Sequence, residues 1–166
     1  MRRRTLLKVG LAGGALLAAA GGATYLLRRA APDAAFSEDT RVVLSGVLPA
    51  LLAGALPLGA GARARALDAG LQRTLATIAG LPRPMRTELG ELFAFLASAP
   101  GRWLAGIERW DDADPEQVGN WLQRWRTHSF DLYQSAYHAL HDLVLGAYYA
   151  DPSTWDAIGY PGPIRL

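Results

Sequence analysis

The chain has 166 residues, of which 51% are apolar and 19% charged, enough apolar side chain for one folded domain and too much for wholesale disorder. Its formal net charge of +2 is unevenly placed: Arg2, Arg3, Arg4, Lys8, Arg28 and Arg29 precede every acidic residue, and from residue 30 onward 11 basic groups face 15 acidic ones. A mildly acidic remainder lacks the basic footprint that binds nucleic acid, and the absence of cysteine excludes disulfides, thiolate zinc sites, iron–sulfur clusters and covalent c-type haem.

The chain opens on Arg3-Arg4-Thr5-Leu6-Leu7-Lys8, which resembles a twin-arginine export signal: paired arginines, a spacer, two apolar residues and a lysine. Val9 to Leu27 follows without a charge; its 19 residues would span roughly 28 Å as a helix, close to the thickness of a hydrocarbon core. Its many glycines and alanines make it weakly apolar for an anchor, and they offer cleavage sites around Ala18 to Ala20 or Ala30 to Ala35. The segment therefore reads as an export signal recognised by the twin-arginine translocase. It is cleaved or, if retained, touches the membrane through residues 9–27. That pathway carries folded proteins, which places the mature domain in the periplasm.

The remainder reads as an all-α domain of five or six helices over residues 36–150, after a signal and linker over 1–35 and before a C-terminal tail over 151–166. Ser37 is a suitable N-cap, with Glu38 and Asp39 favourable in the first turn of a helix that Pro49 kinks or interrupts. Leu67, Leu71, Leu75 and Ile78 form one stripe at helical spacing and predict a second helix over about 62–79, stopped by Gly80 and Pro82. Met85, Leu89, Leu92, Phe93 and Leu96 predict a third over about 85–98, ended by Pro100-Gly101, after which "RWLAGIERW" suggests a short helical piece. Asp114-Pro115 is a start signal for a helix carrying Val118, Trp121, Leu122 and Trp125. Tyr133, Tyr137, Leu140 and Val144 then mark what the spacing predicts to be the longest helix, about 129–149. No segment alternates with period two as a strand would. Pro152, Pro161 and Pro163 argue against helix in the tail, while Trp155, Ile158 and Tyr160 are too apolar for a loose end, so the tail is expected to lie extended in a groove of this chain or another.

Local motifs for catalysis are missing. No G-x-S-x-G elbow, phosphate loop or dinucleotide fingerprint occurs, so no catalytic, cofactor-binding or metal-binding residue is assigned. His138 and His141 stand at i and i+3 beside Asp142 and could share a metal, but a further ligand is required and none stands out. A stand-alone metal-binding protein or enzyme centred on that pair is the alternative reading. Glu108, Asp111, Asp112, Asp114 and Glu116 lack the ligand pattern of a calcium loop and read as a solvated, helix-capping turn. All five tryptophans fall after residue 100, with Trp121, Arg124, Trp125 and Arg126 close together. Trp, Tyr and Arg are the residues most enriched in interface hot spots, although the same residues would also serve to pack the tail onto the bundle.

The stretch "WLQRWRTHSFDLYQSAYHALHDLVLGAYYADPSTWDAIGYPGP", behind a twin-arginine leader, resembles the gluconate 2-dehydrogenase subunit 3 family of small subunits of periplasmic flavin dehydrogenases. The resemblance is strongest from Trp121 to Pro163. It implies a non-catalytic subunit that accompanies a large FAD-containing subunit of the glucose-methanol-choline oxidoreductase type, often with a cytochrome c subunit. It also implies that the large subunit lacks an export signal and travels with the small one. Under this reading FAD belongs to the partner, and Trp121, Trp125, Arg126, Tyr137, Trp155, Tyr160 and Pro161 are the expected interface residues.

Overall fold

The computed structural model describes Asp33 and residues 37–163; the leader motif Arg3, Arg4, Leu6, Leu7 and Lys8 and the apolar run Val9 to Leu27 lie outside the described residues. Six α-helices and two 3-10 turns form the described part, with no strand among the described residues, as the periodicity implies.

α1 (Glu38–Leu51) begins with Glu38 and Asp39 at the positive end of its dipole, but the Ser37 side chain makes no cap bond and is itself buried. Val43, Leu44, Val47 and Leu48 form its inward stripe. Pro49 lies in the last turn, and the helix closes two residues later. α2 (Ala60–Gly80) has 21 residues and is longer than the final helix, contrary to the expected order: it takes in Ala60 and Gly61 at one end and Gly80 at the other. α3 (Arg83–Ala97) takes Pro84 into its first turn, where a missing N–H leaves no bond unmade.

The Pro100-Gly101 pair does not simply end a helix; it lies inside the first turn of α4 (Ala99–Ala105). Ser98 Oγ accepts from the Gly101 N–H at 3.3 Å, and the left-handed Gly106, at φ +73°, closes the other end. Asp114 caps α5 (Pro115–Arg126) by accepting from the Glu116 N–H at 3.1 Å. α6 (Asp131–Tyr149) starts after Phe130, two residues later than the spacing suggests.

α1 is the hub, packing against α2, α3, α5 and α6; α2 and α5 also pack on α6, and α4 packs on α3. The loop between α4 and α5 contributes Ile107 and Trp110 to the core. Trp110, one of the two fully buried indoles, donates its N–H to the Leu96 carbonyl at 2.8 Å.

The tail is not extended over its first half. Asp151 accepts from the Ser153 N–H at 2.8 Å and starts a 3-10 turn at Pro152–Thr154, followed by a second at Asp156–Ile158. Pro152 sits at the first position of that turn, which needs no N–H from it; the prolines therefore bar a long helix but not a short turn. Residues 160–163 carry no regular structure.

Candidate interaction surfaces

Three of the seven expected interface residues are core. Trp121 is 1% exposed, Trp125 6% and Tyr137 7%. The cause is helical spacing: Trp121 and Trp125, at i and i+4, share the face of α5 that packs inward with Val118 and Leu122. Their rings continue a chain of edge and tilted contacts from Trp110 to Trp121 (5.4 Å between centroids), Trp125 (4.4 Å) and Tyr133 (5.5 Å), reaching the surface at His128. The aromatic concentration therefore serves this domain's own packing at these positions, and Arg126, in the last turn of α5, is exposed.

The other three expected residues lie in the folded-back tail. Trp155 is half-buried and donates its indole N–H to the Tyr149 carbonyl at 2.8 Å. Tyr160 crosses Trp155 edge-on at 5.1 Å, and both Tyr160 and Pro161 face solvent. Gly162, at φ +91°, lets the chain pass under Trp155, where a Cβ would come within 3.2 Å of the ring. Two groups fasten the junction between α6 and the tail. Arg73 on α2 pairs with Asp151, whose carboxyl is held below its usual value first by the Ser153 N–H and hydroxyl and then by the Arg73 charge. Tyr148, with its hydroxyl donating to the Ala55 carbonyl at 3.2 Å, is pushed above the usual phenol value by burial.

The exposed apolar side chains are different ones. Trp103 is 83% exposed on α4, a short helix fixed at both ends by Ser98 and Gly106. Leu132 (77%), Phe130 and Met85 are also exposed. Between α3 and α6, which do not pack on each other along their lengths, an open groove of about 600 Å³ is lined by apolar side chains. Met85, Leu89 and Leu92 form one wall and Leu132, Ala136 and Leu143 the other. Its polar residues include Glu88, His138 and Asp142, and no lysine or arginine lines it. Of the residues that periodicity sets on one side of α3, Phe93 and Leu96 are buried, whereas Met85, Leu89 and Leu92 are half-buried or exposed, because α6 stands off from them.

His138 sits on this groove, while His141 Nδ1 lies 2.9 Å from Asp142 Oδ1. Among the described residues no three His, Asp or Glu side chains are grouped to hold a metal ion. In the acidic turn, Arg109 hydrogen-bonds Asp111 and lowers its carboxyl pKa, and Asp114 caps α5. No helix of the described residues is long and apolar enough to cross a membrane.

Comparison with known proteins adds no relative: no family model, no curated protein and no solved structure matches this chain.

Proposed function

We propose that the chain is the non-catalytic small subunit of a periplasmic FAD-dependent oxidoreductase of the glucose-methanol-choline type, acting as its twin-arginine export escort and stabilising partner. The observation that carries the reading is Trp103, a large indole held almost fully in solvent on a helix capped at both ends. The capped helix holds the backbone beneath this indole in place, and Trp belongs to the class that dominates interface energetics. The twin-arginine-like leader and the family resemblance of residues 121–163 supply the rest. Arg126, Tyr160 and Pro161 are also exposed and are further candidate contacts, while the buried Trp121, Trp125 and Tyr137 hold the fold that presents them.

The mechanism is physical. The flavoprotein folds around FAD in the cytoplasm, this chain binds the folded form, and one leader takes both across. Binding only the folded partner also stabilises it, by about 2.7 kcal/mol when the small subunit is at a hundred times its Kd. A cytochrome c subunit would complete the electron path outside this chain. Affinity isolation of the tagged chain from periplasm, with mass spectrometry and a flavin absorbance scan, tests the reading. A stoichiometric flavoprotein is expected from wild type and not from Trp103→Ala; a chain isolated alone and colourless overturns it.

A further inference from the structure

The groove between α3 and α6 has an apolar floor, carboxylates from Glu88 and Asp142 at its edge, and no cation in its lining. Such a surface selects an apolar segment flanked by positive charge. This chain contains one: residues 9–27 are uncharged, Arg2, Arg3, Arg4 and Lys8 precede them, Arg28 and Arg29 follow, and no carboxylate occurs before Asp33. The described chain also begins beside the groove. Asp33 Oδ2 lies 3.2 Å from Arg86 Nε, and Arg86 adjoins Met85 and donates to the carbonyl of Leu81, both groove residues. Leu27 precedes Asp33 by six residues, which allows a reach of roughly 20 Å at most, so the apolar segment ends within range of the groove.

We infer that this groove is the intramolecular docking site of the chain's own apolar N-terminal segment, residues 9–27, in the uncleaved precursor. The segment covers Met85, Leu89, Leu92 and Leu143, and its flanking arginines face Glu88 and Asp142. Docking holds the leader off membranes and other apolar surfaces. The effective concentration of a segment tethered this closely lies in the millimolar range, so even weak contacts keep it seated. The inference does not rest on the flavoprotein partner: it concerns the free precursor and is tested without any second protein.

The chain has no cysteine, so an introduced pair reports unambiguously. In the purified full-length precursor, Leu16→Cys is combined with Ala139→Cys, which is exposed in the groove, or with Asp112→Cys on the acidic turn outside it. The Leu16–Ala139 pair is expected to form a disulfide within one chain at least tenfold faster than the Leu16–Asp112 pair. That advantage should vanish when Met85→Lys, a change at an exposed position, is added. Leu89→Arg serves as the second groove variant, with the helical signal in circular dichroism confirming that each folds. Equal rates for the two pairs, a rate indifferent to both groove variants, or disulfides found only between two chains and dependent on concentration would each overturn the proposal. The last outcome would assign the groove to a second copy instead.

Discussion

The carbonyl oxygen of Trp110 stands 2.5 Å from where a Cβ on Gly46 would be, and the Trp110 ring edge 3.0 Å from it. The hub helix therefore accepts the α4–α5 loop only because residue 46 has no side chain. Gly46→Ala is expected to destabilise the domain by about 1–3 kcal/mol through overpacking, read as a lower urea midpoint with an unchanged m-value. Gly119→Ala on α5, where nothing lies within 4 Å of the added carbon, should instead be neutral or stabilising by up to ~1 kcal/mol.

The two most buried indoles differ in their hydrogen bonds. Trp110 donates to Leu96, whereas no protein acceptor reaches Trp121 Nε1. Replacement of each by Phe removes similar apolar area, but only Trp110→Phe also leaves a buried carbonyl without its donor. Trp110→Phe should therefore be the more destabilising by about 1 kcal/mol, measured by equilibrium denaturation of the two variants.

Trp103 and Trp121 should separate function from stability. Trp103→Ala is expected to change stability by less than about 0.5 kcal/mol while weakening partner binding by roughly 30-fold or more, the effect of a hot spot above 2 kcal/mol. Trp121→Ala should lose about 3–5 kcal/mol of stability. Thermal melts and titration against the isolated partner distinguish the two.

Asp151 makes the tail's attachment pH-dependent. Its folded-state value lies below the ordinary carboxylate value of about 3.9, so its contribution is fully present above that pH and is lost as pH falls through the lower folded value. Amide protection of residues 153–160 in hydrogen exchange should therefore decline in acid once intrinsic exchange rates are allowed for. In Asp151→Asn, which removes the charge facing Arg73, protection should be weaker at neutral pH and no longer titrate in this range.

How much of this was legible in the sequence varied with the kind of signal. The start of α5 was, because the Asp114-Pro115 pair acts locally, through a cap and a preset φ. α4 was blurred because Pro100-Gly101 reads equally as a stop after one helix or the first turn of the next; the Ser98 hydroxyl decides it. The tail misled for a related reason, since three prolines conceal the restart that Asp151 and Pro152 make together. The fate of the expected interface residues was the least legible part. Spacing shows that Trp121 and Trp125 share a face but not whether that face meets this chain or another, and their burial follows from where α1 and α6 lie. The groove is a gap between α3 and α6, and no local pattern encodes a gap.

The central claim is that this chain carries a folded flavoprotein across the membrane on its own leader. It is tested most directly by fractionating cells in which the chain is intact, deleted, or altered by Arg3→Lys together with Arg4→Lys, and assaying the flavin-containing partner in each compartment. The account predicts the flavoprotein in the periplasm with the intact chain and its retention, FAD-loaded, in the cytoplasm in the other two. Normal export of the flavoprotein without this chain would contradict it.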